Sequence, residues 1–270
     1  RVSWKVMGRV VTGGTARYEG YHLHNWTVTM PDGRKWKVVG DGSLEGTSSE
    51  TVTPVMTIAD LDTLQQVVRA LRRNGARANY RTGLHVHVGA ADFTAENVKN
   101  LVKTFYKQEE LILKAAGTLQ SRIESYTRKT DHGFVDRICA MRNPTMAKIG
   151  DAYYGGCYDR HSHYCRARYR ALNLHNLWNG GKHTVEYRFF NGTTHAGKIK
   201  AYVQFCLAMS AWAVNCENSN LFFKSISTYT REQKLTIMKN MLKNRLKLRG
   251  KEYKTCRMFL TAAFAEQAAA

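Results

Sequence analysis

Two pairs of side chains carry most of the chemistry open to this chain. The first pair is His85 and His87, in Thr82-Gly83-Leu84-His85-Val86-His87-Val88-Gly89. Read at period two this stretch is a strand, with Leu84, Val86 and Val88 on one face and His85, His87 and Gly89 on the other. Imidazoles at i and i+2 have Cα atoms roughly 7 Å apart, close enough to share one metal–phosphate site. The second pair is Glu186 and Arg188, in Thr184-Val185-Glu186-Tyr187-Arg188-Phe189-Phe190. Val185, Tyr187 and Phe189 share one face there; Glu186, Arg188 and Phe190 share the other. A carboxylate beside a guanidinium suits a metal ligand beside a phosphate clamp, because the planar fork of Arg can hold phosphate oxygens and stays charged. Imidazole and carboxylate together can hold Mg²⁺ or Mn²⁺, with Mg²⁺ preferring oxygen. The plainer readings are histidines on a solvated face or bonded to backbone, and a cross-strand ion pair worth about 0–1 kcal/mol. Weaker candidates are the carboxylates Asp41 and Glu50, near turns, and the cluster Cys157, His161, His163 and Cys165. That cluster invites zinc, but its spacing matches no familiar structural zinc pattern.

The surrounding pattern supplies elements to hold these residues. Residues 26–30 and 35–39 form a hairpin about Pro31-Asp32-Gly33-Arg34, and 50–55 is a further strand whose Pro54 favours an edge or a strand end. Residues 2–10 read as the tail of a helix. Residues 60–74 form an amphipathic helix with Leu61, Leu64, Val67, Val68 and Leu71 on one face, stopped by Gly75. Thr94 caps a long helix that turns Val98, Leu101, Val102, Phe105, Ile112 and Leu113 inward and ends near Gly117. Residues 120–169 hold short helices and loops, and 171–175 alternate again. Residues 196–216 are apolar on nearly every side and form a buried helix; two helices, about 231–245 and 251–265, close the chain. The order lacks the βαβ rhythm of a parallel sheet, so the class is α+β. The expected form is a curved antiparallel sheet of about five to six strands with helices on one face. Its other face is then free for His85, His87, Glu186 and Arg188.

With 270 residues, 43% apolar, the chain makes one large domain, or one domain with an appendage. No run reaches the roughly 18 apolar residues of a membrane span. No secretory pattern follows Arg1, and six irregularly spaced cysteines suit a reducing cytoplasm. The net charge of +20 points to an anionic partner. Eleven Lys or Arg fall between Leu221 and Arg257, against Glu232 and Glu252. Residues 1–220 therefore read as a catalytic domain, and 221–270 as a basic helical extension packed on it. Such a surface is commonly a solvated face, and it is also where nucleic acid would bind.

Several segments together resemble the amidoligase family, part of the carboxylate–amine ligase superfamily of glutamine synthetase and glutamate–cysteine ligase. They are Asp41-Gly42-Ser43-Leu44, Glu50-Thr51-Val52-Thr53-Pro54, Gly83-Leu84-His85-Val86-His87-Val88, Arg168-Tyr169-Arg170-Ala171-Leu172-Asn173-Leu174 and Thr184 through Thr193. The resemblance implies a glutamine synthetase-like sheet whose concave face binds ATP and divalent metals. It implies metal ligands at Glu50, His85 and Glu186, and a charge-neutralising Arg188 beside the transferring phosphoryl. It implies phosphate contacts at His87, and Arg168 and Asn173 lining the nucleotide or acyl-phosphate end. The family pattern begins with a strand carrying Glu-x-Glu. No such pair occurs near Arg1, so the expectation is either that this strand lies upstream or that part of the metal set is lost.

The expected activity is ATP-dependent amide formation between a carboxylate and an amine, each open to being a peptide or protein. The alternative is a catalytically degenerate homologue with a nucleic-acid-associated or structural role. A metal-dependent hydrolase ranks third, since the chain lacks an HExxH pair.

Overall fold

Period-two alternation becomes two antiparallel sheets, each within its own compact unit. A computed structural model describes residues 14–20, 25–40, 49–157, 159–162, 165–216 and 226–265. Asp41 through Leu44, His163 and the helix expected over 2–10 lie outside the described residues. One unit comprises residues 1–82 with 192–200, and the other 83–191 with 201–270.

In the first unit, β1 (Thr15–Gly20), β2 (Asn25–Thr29), β3 (Lys35–Gly40) and β4 (Ser49–Val52) pair in chain order. The expected hairpin is β2–β3. Gly33 adopts φ +82°, and the Asp32 carboxylate accepts the Arg34 N–H at 3.0 Å, which closes the turn. Val28, Trp36 and Val38 are buried while Lys35 and Lys37 face out. The β1 strand was not foreseen: TARYEG carries too little apolar alternation to stand out, and its pairing comes from β2. Helix α1 (Leu61–Arg73) buries Leu61, Leu64, Val67 and Val68. A short 3-10 turn, Ile58–Asp60, leads into it.

In the second unit, β5 (Gly83–Gly89), β6 (Leu172–Asn173) and β7 (Thr184–Asn191) form a sheet with β7 central. Its apolar face packs on α2 (Ala95–Ala116), where Phe105 meets Tyr187 and Phe189 at ring-centroid distances of 6.3 and 5.7 Å. The expected cap holds: Thr94 and Asn97 bond each other's backbone N–H, and Gly117 ends the helix at φ +65°. Short helices α3 (Gln120–Ser125), α4 (His132–Ala140) and α5 (Met146–Tyr154) follow. Then come α6 (Ala196–Asn215), of which residues 196–200 belong to the first unit, α7 (Arg231–Asn240) with a π-helical turn at Met241–Arg245, and α8 (Lys254–Thr261). Phe205, Met238, Leu242 and Leu260 join the core under α2.

Two expectations need correction. Among the described residues the strands form sheets of four and three, not one of five or six. Alternation identifies strands and their faces, but it does not say which strands pair. The far face of the three-stranded sheet is also not open along β7, which is buried from Val185 to Phe190 on both sides, while His87 on β5 stays exposed. Among the described residues no helix is long and apolar enough to cross a membrane.

Candidate active site

Strand pairing brings the polar residues together. Glu186 stands opposite His87 on β5 and opposite Asn173 on β6. Between Leu84↔Phe190 and Val86↔Tyr187 the register shifts, two steps along β5 matching three along β7. Arg188 and Phe189 therefore share the place facing His85, a bulge of the kind that re-aims side chains. It overturns one expectation, that Phe190 lies on the polar face. Phe190 is fully buried, 4.1 Å from Phe189 and stacked at 4.1 Å on Tyr202. The bulge frees the polar face of that ring and leaves Arg188 on it.

The Glu186 carboxylate is the hub. Its Oε1 accepts from Arg188 Nη1 at 2.7 Å, with His85 Nδ1 at 3.3 Å and His87 Nε2 at 3.6 Å. Its Oε2 accepts from Asn173 Nδ2 at 2.7 Å and from Asn176 Nδ2 at 3.4 Å. Asn173 is fixed in turn, its Oδ1 accepting the Tyr153 hydroxyl at 3.2 Å and the His175 N–H at 2.9 Å. Glu186 is 2% and Arg188 5% exposed, so both charges sit in protein rather than water. The Arg188 Nε is buried and has no hydrogen-bond partner among the described residues. Buried guanidinium donors are normally satisfied, so this one points to an anion that completes the site.

Positive charge dominates the surroundings. The Arg188 and Arg168 guanidiniums each lie 5.7 Å from the Tyr169 ring centre. Arg122 donates from Nη2 to the Arg188 carbonyl at 3.1 Å. A Cβ at Gly83 would overlap Arg122 Nη2, so the glycine that opens the histidine strand makes room for this cation. The His85 side chain is 29% exposed, and partial burial, reinforced by Arg188, pushes its imidazole down to about 3. The His87 side chain is 37% exposed, and partial desolvation still holds it below its ordinary value against the pull of Glu186. Both rings are therefore neutral near pH 7, the form that binds metals. Burial is the strongest single influence on Glu186 and works against its charge, but Arg188, the two imidazoles and the Asn173 hydrogen bond together hold the carboxyl below its usual range.

The donor types here are ones that phosphate oxygens and a divalent ion would need. Arg188, with its unused Nε, together with Arg168 and His87, suits phosphate oxygens. Glu186 and a neutral His85 suit a divalent ion that shares its shell with ligand oxygens and water, as Mg²⁺ does. Among the described residues only Cys157, Asp159 and Cys165 place three metal-type donors all within 4.8 Å of one another. The two imidazoles and Glu186 are not closed to that degree.

His85, His87, Arg168, Asn173, Glu186 and Arg188 thus come together in the second unit. Glu50 lies in the first unit, exposed on β4 opposite Val39. Sequence reasoning missed Asn176, Tyr153, Tyr169, Arg122 and Thr184, whose Oγ1 lies 3.1 Å from His87 Nδ1. Thr184 was findable, two residues before Glu186 on the same face; Asn176 and Tyr169 sit on irregular segments without a period to read, and Arg122 and Tyr153 on the short helices α3 and α5. In the basic C-terminal helices Arg245 lies over Trp212, and Arg249 and Arg257 bond to backbone carbonyls. Part of that charge therefore holds the helices together.

A family model described as "putative amidoligase enzyme" matches residues 6–210. No curated protein and no solved structure matches the chain.

Proposed function

The chain belongs to the amidoligase family, and we propose that it is an ATP-dependent ligase joining a carboxylate to an amine. The observation that carries the reading is Arg188, a buried guanidinium with an unused donor beside two neutral imidazoles and one carboxylate. A carboxylate is a poor electrophile until one of its oxygens becomes a leaving group. In this reaction its oxygen attacks the γ-phosphorus of ATP and ADP departs. The amine nitrogen then attacks the acyl carbon, phosphate leaves, and the nitrogen loses a proton.

Such a reaction is mostly positioning and neutralisation of charge. Arg188 holds the transferring phosphoryl oxygens through its free Nε. Arg168 and His87 hold the remaining phosphates. Asn173 and Tyr153 keep Glu186 from rotating. Glu186 and His85 would hold Mg²⁺ or Mn²⁺, which when bound would spread phosphate charge. The network excludes water by burying the carboxylate and the guanidinium.

The test is ADP release by the intact chain in MgATP with pooled carboxylic acids and pooled amines. The expected result is release that needs both pools and falls at least 10²-fold in Arg188→Ala, the scale of losing one preorganised donor. Release that ignores both pools, or survives the substitution, would contradict the reading.

A further inference from the structure

The loop between α5 and the 3-10 turn Arg166–Arg168 carries side chains that the ligase chemistry does not use. Cys157 Sγ lies 2.8 Å from Asp159 Oδ1 and 3.6 Å from Cys165 Sγ. All three donor atoms lie within 4.8 Å of one another. Two thiolates on one tetrahedral Zn²⁺, at about 2.3 Å each, sit about 3.8 Å apart. The observed separation is close to that, and well beyond the roughly 2.05 Å of a disulfide. Both cysteines are free thiols.

The loop is held in this shape from outside the cluster. Gly155 and Gly156 turn the chain at φ +55° and +84°. Arg160 pairs with Asp151 at 3.0 Å, and its carbonyl accepts from Asn179 Nδ2 at 2.8 Å. The Ser162 N–H bonds to Asp159 O at 2.8 Å, and the Cys165 N–H to Ser162 O at 3.1 Å. These contacts hold the three donors close together.

We propose that Cys157, Asp159 and Cys165 form a zinc site, with water in the fourth position. Two thiolates select Zn²⁺ over the hard cations that suit the polar face of β7. Each thiol gives its proton to solvent on binding. The set differs from the one the sequence suggested, with Asp159 in place of the histidines. His161 is exposed, and its Nε2 accepts from Arg160 Nε at 3.2 Å. The ion ties this loop to the turn that leads to Arg168. Cys165 precedes the turn that carries Arg168, and its carbonyl accepts the Arg168 N–H at 3.1 Å.

The test titrates the reduced, chelator-stripped full chain with Co²⁺ as a coloured stand-in for zinc. One equivalent should give a thiolate-to-cobalt charge-transfer band and the visible bands of a tetrahedral ion, both bleached by one equivalent of Zn²⁺. Cys157→Ser and Cys165→Ser should each abolish the two-thiolate spectrum. Asp159→Asn should weaken Co²⁺ binding at least tenfold, and Cys139→Ser should change nothing. If Cys165→Ser fails to fold, the half-buried Cys157 and exposed Asp159 carry the test. No charge-transfer band in the parent chain, or a band of undiminished intensity in Cys157→Ser, would overturn the proposal. So would Asp159→Asn binding Co²⁺ like the parent.

Discussion

Two Arg–carboxylate pairs, one in each unit, use the same chemistry to different ends. Arg34 spends its fork fully: Nε on Asp32 at 2.8 Å, and Nη1 and Nη2 on Asp60 at 2.9 and 2.8 Å. The side chains of Arg34 and Asp60 are 34% and 15% exposed, and the pair pins a turn to the start of α1. Arg188 makes one contact to Glu186 at 2.7 Å with side chains 7% and 3% exposed, and its Nε is left over. Solvent screens the first pair, so it adds little beyond fixing a turn. The second bears the cost of burial and has capacity to spare. A charge pair points to function when it is buried and incompletely used.

The largest expected effect sets these pairs against each other. Arg188→Ala should cut MgATP-dependent turnover at least 10²-fold, whereas Arg34→Ala should leave it within about twofold. Arg188→Lys keeps the charge but loses the fork, and should fall between parent and Arg188→Ala. Steady-state ADP release measures all three. Equal losses in Arg34→Ala and Arg188→Ala would break the contrast.

The next effect asks what Arg188 does for its carboxylate. Glu109 is equally buried, but its hydrogen bonds come from the Thr130 N–H and hydroxyl, and burial raises it to about 7. A proton held to pH 7 in the fold but only to about 4.5 in the unfolded chain favours the fold. That contribution is complete below about pH 4.5 and is lost as pH rises through 7. Glu109→Gln should therefore gain stability relative to the parent between pH 5 and 8, by at most about 3 kcal/mol. Urea melts at the two pH values test this, and a flat difference would contradict it.

His85 should act in the opposite direction. Its folded value, near 3, lies below the unfolded 6.5, so acid favours the unfolded chain across that window. His85→Gln should flatten the fall in melting temperature between pH 6.5 and 4, read by thermal melts at each pH. The smallest effect is Arg34→Ala itself, a slightly lower melting temperature.

Much of the second unit was legible because its signals are periodic. The Thr94 cap, the Gly117 stop and the six inward residues of α2 are where the spacing puts them. His85, His87, Glu186 and Arg188 share a face because strands alternate and β5 pairs with β7. The bulge at Arg188 was not legible, since a one-residue slip leaves no mark in composition and reveals itself only in pairing. β6 was expected over 171–175 but spans Leu172–Asn173, because a 3-10 turn at His175–Leu177 takes over. Asn176 and Tyr169 occupy such aperiodic stretches, where position comes from tertiary contacts alone.

The most direct measurement is the affinity of the intact chain for a non-hydrolysable ATP analogue with Mg²⁺, by titration calorimetry, in the parent, Arg188→Ala and Arg34→Ala. The account predicts Mg²⁺-dependent binding that weakens at least tenfold in Arg188→Ala and matches the parent in Arg34→Ala. The same affinity in all three would place the nucleotide away from Glu186 and Arg188 and contradict it.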